Sequence, residues 1–178
     1  IKTEPLNAQF SQLLKEMQNY RSLQGKGFPR LYKQGISVDN EVCFLATDLL
    51  GLSLEDLFNL CGCKFSFKTT LMLMYQSLER LQLMHDRNFI HRDLKPDNMM
   101  MGLGNESNTM YLIDFGLTKS IIDSKTGKHM TLLTGKNLIG TCRFVSLNAH
   151  HGFELSRRDD LLTLGFVMLH FIKGYLPW

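Results

Sequence analysis

Leu6, Phe10, Leu13, Leu14, Met17, Tyr20 and Leu23 recur at three- and four-residue steps, which predicts one stripe of an amphipathic helix from Leu6 to Leu23. Gly25-Lys26-Gly27 and then Pro29 end it. Two short strands are predicted next, one from Arg30 to Ile36 and one from Val42 to Asp48, parted by the turn-like Asp39-Asn40. Leu49-Leu50-Gly51 breaks the pattern. Beyond it, Ser53 to Leu60 reads as a short helix. Ser66 is placed to cap a longer one running towards Arg87, with Leu71, Met74, Leu78 and Leu81 on its inner face.

Further on, the apolar runs Met99 to Met101 and Met110 to Ile113 predict a strand pair around the turn residues Gly102 to Asn108. The stretch from Gly116 to Ser156 is predicted to be irregular, and loops of that length usually have a task. Asp160 to Lys173 is apolar nearly all round, the mark of a central buried helix. The methionine-rich runs read as core filler. No repeat, low-complexity tract or Pro/Ser-rich linker divides the chain.

Composition adds limits. The chain has 178 residues, enough for about one domain with a real core. Twenty Lys and Arg against 17 Asp and Glu leave +3, and 44 % of residues are hydrophobic. These values exclude a disordered chain, a collagen-like repeat and a polybasic tail, and they give no reason to expect a nucleic-acid partner. The longest apolar stretch, Leu161 to Ile172, is interrupted by Thr163, Gly165 and His170 and is too short to span a membrane. No secretory leader pattern opens the chain. Cys43, Cys61, Cys63 and Cys142 form no zinc knuckle, because Cys61 and Cys63 have one residue between them and no second pair follows. Reduced thiols are therefore expected, with an intracellular location in cytoplasm, nucleus or both. His150-His151 reads as part of a solvated loop. Ile1 at the start and Pro177-Trp178 directly after an apolar helix give both ends the look of a cut.

One loop carries chemistry. It reads His91-Arg92-Asp93-Leu94-Lys95-Pro96-Asp97-Asn98, and 16 residues beyond Asn98 comes Asp114-Phe115-Gly116 at the end of an apolar strand. Phosphoryl transfer needs in-line positioning of an acceptor hydroxyl and neutralisation of charge on the phosphate oxygens. Asp93 offers a carboxylate for the hydroxyl proton, Lys95 a cation near the transferred group, and Asn98 and Asp114 hard oxygen ligands for Mg²⁺. Asp-Phe-Gly alone would be weak, but the two motifs together at this spacing form the protein-kinase set.

By these motifs the chain resembles a eukaryotic protein kinase, and its wording is similar to the casein kinase I family. The diagnostic stretches are Leu49 to Phe58, Phe89 to Asn98, Lys136 to Thr141, Arg143-Phe144 and Ser156 to Leu161. Ser146-Leu147-Asn148 stands where most kinases carry Ala-Pro-Glu, and the family has a Ser-Ile-Asn-like triplet there. The resemblance covers Ile1 to Trp178. It implies an α+β, two-lobed, protein-kinase-like fold, with the small lobe cut just before its β3 lysine and the large lobe cut after the central F helix. Residues 1–48 would then be a partial N-lobe, and residues 49–178 the hinge and a partial, mainly helical C-lobe with catalytic loop and activation segment.

The resemblance also implies roles. Lys2 would pair the α/β-phosphates of ATP and Glu16 would hold Lys2. Thr47 would be the gatekeeper, Asp48 to Leu50 the hinge that binds adenine, and Met100 the floor of that site. Asp160 would brace the His-Arg-Asp backbone beside Arg92, both structural. Lys119, Lys136 and Arg143 match basic positions that hold anions near the activation segment, which implies protein substrates with Ser/Thr acceptors preceded by an acidic or phosphorylated residue. Thr141 reads as a residue serving the structure of the loop. Two departures stand out: no Gly-x-Gly-x-x-Gly loop is present, and Leu132-Leu133-Thr134-Gly135 replaces a more polar run. The rival readings are a pseudokinase-like binding module or an inactive fragment, and a small-molecule kinase of related fold. Lys2, Glu16, Asp93, Asn98 and Asp114 speak against a pseudokinase, and Arg92, Lys95 and the long activation segment against a small-molecule kinase, while residues 1–178 alone, without the strands over the nucleotide, are expected to show weak or absent activity.

Overall fold

The computed structural model describes residues 1–8, 11–39 and 41–178; Phe10 of the predicted helical stripe and Asn40 of the predicted turn lie outside them. The first part of the chain is strand β1 (Lys2–Pro5), helix α1 (Gln12–Ser22) and strands β2 (Leu31–Ser37) and β3 (Val42–Thr47). The strands form an antiparallel sheet of order β1-β3-β2, with Lys2 opposite Leu45 and Glu4 opposite Cys43. Helix α1 lays Leu13, Glu16, Met17 and Tyr20 inwards. It begins at Gln12 and not at Leu6, because Ser11 caps it by accepting the Leu14 N–H, while Leu6 leaves β1 by donating its N–H to Glu41 O.

The second part carries α2 (Leu54–Leu60), α3 (Phe67–Asp86), β4 (Phe89–Ile90), β5 (Met99–Met101), β6 (Met110–Leu112), β7 (Lys119–Ser120), α4 (Leu147–His150) and α5 (Arg157–Lys173), with a 3-10 turn at Pro96–Asn98. The α+β class is as expected. Ser53 closes a capping box with Asp56 at the start of α2, and Ser66 caps α3. Strands β5 and β6 pair as the sequence suggested. The segment after Gly116 is less irregular than predicted, since β7 pairs with β4, itself unforeseen, and α4 turns within it.

Two helix faces differ from expectation. Leu71 and Leu78 are exposed, and α3 instead buries Thr70, Leu73, Met74, Ser77, Arg80, Leu81, Met84 and His85. Polar residues can turn inward because each is satisfied, the two hydroxyls by the backbone one turn earlier and Arg80 by a neighbouring strand. Thr70 Oγ1 donates to Ser66 O, Ser77 Oγ to Leu73 O, and Arg80 Nε to Met110 O. Gly27 lies against Arg80 with φ +81°, and a Cβ there would fall 1.8 Å from the guanidinium. Helix α5 is buried along Asp160, Thr163, Leu164, Val167 and Phe171, while Leu161, Leu162 and Leu169 face outward. Phe58 of α2, Phe65 just before α3 and Phe171 of α5 meet in one aromatic cluster. No helix among the described residues is long and apolar enough to cross a membrane, and none of their His, Cys, Asp and Glu side chains form a metal-holding group of three. Cys43 is buried, and Cys61, Cys63 and Cys142 are exposed free thiols.

Candidate active site

The site is assembled where the β4 turn meets α5. Asp160, in the first turn of α5 and 3 % exposed, accepts the His91 N–H (2.9 Å) and His85 Nε2 (2.9 Å) on one oxygen and the Arg92 N–H (3.0 Å) on the other. These bonds hold Arg92 at φ +70°, a left-handed conformation that a residue with a side chain adopts only when its surroundings impose it. His91 Nε2 contacts Ile113 O at 3.0 Å while its Nδ1 accepts the Asp93 N–H at 3.3 Å, so the imidazole is the neutral Nε2–H form. Burial pushes its pKa below the ordinary value, against the pull of Asp160, and keeps it so.

Asp93 follows with both oxygens engaged. Oδ1 accepts Thr141 Oγ1–H at 2.7 Å, and Oδ2 accepts Asn98 Nδ2 at 3.2 Å and lies 3.2 Å from Lys95 Nζ. Asn98 Nδ2 also donates to Asp93 O at 2.8 Å, which leaves Asn98 Oδ1 as the amide oxygen available to a cation. Asp114 takes φ +63° and receives the Gly116 N–H on Oδ1 at 3.2 Å. Phe115 is fully buried, edge-on to Tyr20 of α1 with centroids 4.8 Å apart and 6.0 Å from His91. Asn19 Nδ2 donates to Phe115 O, a second tie from α1 to this turn.

Opposite stands β1. Lys2 Nζ lies 2.6 Å from Glu16 Oε2 and 3.8 Å from Asp114 Oδ1. Burial lowers the Lys2 pKa, but the hydrogen bond and charge of Glu16, aided by Asp114 and Glu4, outweigh it and raise the ammonium above its ordinary value. Between these groups opens a cavity of about 500 Å³ lined by Lys2, Glu16, Tyr20, Leu45, Thr47, Asp48, Leu49, Leu50, Asn98, Met100, Ile113 and Asp114. All eight predicted nucleotide- and metal-site residues, Lys2, Glu16, Thr47, Asp48, Leu50, Met100, Asn98 and Asp114, meet there. Asp48 is fixed by Arg30 N–H at 2.7 Å and Tyr32 O–H at 2.8 Å. Ser53 bridges to Met100, which sets the strand beneath the cavity. The cavity offers apolar walls at Leu45, Leu50 and Met100, and a polar part where the Lys2 ammonium lies 3.8 Å from Asp114, with Asn98 as a second oxygen donor. That is the polarity of a nucleotide with its polyphosphate and Mg²⁺, an ion that takes few protein ligands.

The three basic candidates do not gather. Lys119 Nζ and Lys136 Nζ stand 2.8 Å and 3.7 Å from the two oxygens of Glu154, which is 9 % exposed. With Arg92 they line a pocket of about 120 Å³. Arg92 Nε is committed to Leu117 O at 2.7 Å. Arg143 lies elsewhere, on an apolar groove with Cys142, Val145, Leu147, Phe166 and Trp178, its Nη2 3.4 Å from His170 Nδ1. Arg143 is expected beside the lysines because all three match basic positions of the family the chain resembles, but the segment turns between them and places Arg143 on a different surface. The sequence reading gave no role to Glu154 and none at Asp93 to Thr141. Neither was detectable, since their partners lie 35 and 48 residues away.

The family model described as Protein kinase domain matches residues 1–178.

Proposed function

Because this chain belongs to the protein kinase domain family, we propose that it is a serine/threonine kinase of casein kinase I type acting on acidic or pre-phosphorylated protein substrates. Residues 1–48 serve as the small-lobe part of the domain and residues 49–178 as the hinge and large-lobe part. The reading rests above all on the ring of contacts around Asp93, which aims one carboxylate beside a cation and next to a cavity with two further oxygen donors.

Bound MgATP supplies the phosphoryl group and the divalent charge that neutralises its oxygens. The chain's residues do the rest. Asp93 accepts the proton of the acceptor hydroxyl, for which Thr141 and Asn98 hold its carboxylate in place. Lys95 lies beside that carboxylate and faces the charge that develops on the transferred group. Asn98 and Asp114 are the ligands for Mg²⁺ and Lys2 the cation for the α/β-phosphates, steered by Glu16. Thr47, Asp48, Leu50 and Met100 bound the adenine end. Substrate preference comes from Arg92, Lys119 and Lys136, whose three positive charges face a single carboxylate at Glu154. Arg143 sits apart and would meet a different part of the substrate.

The test uses the full-length protein, MgATP and matched peptides with Ser, Thr or Tyr as acceptor, with and without phosphoserine upstream. Asp93→Asn should lower kcat by about 10²–10⁴-fold, Tyr should not be phosphorylated, and the upstream phosphate should raise kcat/KM. A rate for Asp93→Asn close to wild type would remove Asp93 from its role, and indifference to the upstream phosphate would remove the substrate preference.

A further inference from the structure

Helix α1 has no acidic residue in its first turn, whereas α2 and α5 both have two. Its positive end is nevertheless met by a carboxylate, that of Glu4 on β1. Glu4 Oε2 accepts Ser11 Oγ–H at 2.5 Å and the Leu13 N–H at 3.1 Å, and Oε1 accepts the Gln12 N–H at 3.3 Å. Ser11 Oγ in turn accepts the Leu14 N–H at 3.2 Å. Every amide of the first turn thus has a partner, and two of the three belong to Glu4. Cys43 Sγ, from the neighbouring strand, lies 3.4 Å from Glu4 O and 4.0 Å from Oε2. The hydrogen bond from Ser11, joined by those from Leu13 and Gln12 and by the charge of Lys2, outweighs burial and holds the Glu4 carboxyl below its ordinary range.

Two residues before Glu4 on the same strand is Lys2, and one turn beyond Gln12 on the same helix is Glu16, its partner at 2.6 Å. We propose that Glu4 is a positioning residue that clamps β1 to the start of α1 and so sets the Lys2–Glu16 pair, making nucleotide binding depend on a local brace at Ser11 and Glu4. This rests on the nucleotide role given to Lys2 above. The clamp is also a place where charge would act as a switch. A negative group on Ser11 would remove the hydrogen now donated to Glu4 and set like charges side by side.

The experiment compares Glu4→Gln, Ser11→Asp, Glu16→Gln and the double variant Glu4→Gln/Glu16→Gln in the full-length protein. It measures KM for MgATP, kcat, and hydrogen exchange of the α1 amides without nucleotide. Glu4→Gln should raise KM for MgATP about tenfold with a smaller change in kcat, and should speed exchange at Gln12 to Leu14. Ser11→Asp is the sharper arm, because aspartate is as good a cap as serine on a helix alone. Here it should copy Glu4→Gln. The double variant should be no worse than Glu16→Gln, since both changes act through one pair. Additive losses, unchanged exchange in Glu4→Gln, or a wild-type Ser11→Asp would each overturn the clamp. Exchange reads the clamp without substrate, so a wild-type protein that transfers no phosphate would overturn the proposed function while the exchange data still decide the brace.

Discussion

Replacing Asp160 by Asn keeps the shape of the side chain and changes only what its two edges offer. In the native site one oxygen serves His91 N–H and His85 Nε2 and the other serves Arg92 N–H, at 2.9, 2.9 and 3.0 Å. An amide has one acceptor edge. Turned either way, it sets its NH₂ against at least one buried N–H, which costs about 1–3 kcal/mol for the orphaned group. The bonds that remain lose charge assistance, about 0.5–1 kcal/mol each. The sum is about 2–5 kcal/mol, which at this chain length lowers Tm by roughly 2–4 °C per kcal/mol. Function should suffer beyond stability, because the lost bond frees Arg92 from φ +70° directly before Asp93. Thermal unfolding and kcat, the latter taken well below the variant's Tm, separate the two effects. An unchanged Tm would refute the energetic argument. A lower Tm with kcat within twofold of wild type would confine Asp160 to holding the fold.

Two further changes test the neighbourhood. Gly140 has φ +94°, and a Cβ there would lie 2.4 Å from Arg92 O and 2.8 Å from Val145 Cγ1. Gly140→Ala should therefore cost about 2–4 kcal/mol through strain and overpacking and lower kcat more than tenfold by drawing Thr141 from Asp93; a folded variant with normal kcat would contradict this. Stability should also fall in acid. Burial holds His91, and burial with Arg143 holds His170, below the ordinary imidazole pKa of 6.5. The unfolded chain then takes up protons that the native state refuses, so stability present above pH 6.5 is lost as pH falls, by up to about 1.4 kcal/mol per pH unit and histidine. His170→Phe also removes a buried Nε2 that has no partner; urea midpoints for it should fall less steeply below pH 6.5, and an unaltered slope would discount the histidine.

Much of the fold was legible because its signals are local. Ser53 and Ser66 begin α2 and α3 by bonding amides three residues on, a relation contained in a few letters of sequence. The inner face of α3 was misread for a related reason. Thr70 and Ser77 look polar to any periodicity argument, yet their hydroxyls are satisfied by their own helix and they turn inward with Arg80. Leu71 and Leu78 consequently face outward. Helix α1 shows the reverse case: the apolar letters extend to Leu6, but the chain is still leaving β1 there and the cap at Ser11 sets the start.

In the site, legibility divides by how each carboxylate is neutralised. Asp93 and Asn98 lie in one motif, and so their identity and their mutual bond follow from spacing. The groups that make Asp93 usable come from far along the chain. Thr141 reaches its other oxygen across 48 residues, Gly140 permits the approach, and Asp160 fixes the backbone behind it from 68 residues away. Glu16 depends on Lys2, and the first turn of its helix depends on Glu4. Each buried acid therefore has a partner on a different element, and a buried acid without its partner is costly to ionise. It follows that α1, the segment carrying Thr141 and α5 cannot shift independently of the Asp93 loop. Displacing any one of them should unmake the charge pattern of the cavity while every residue of the motif is still present.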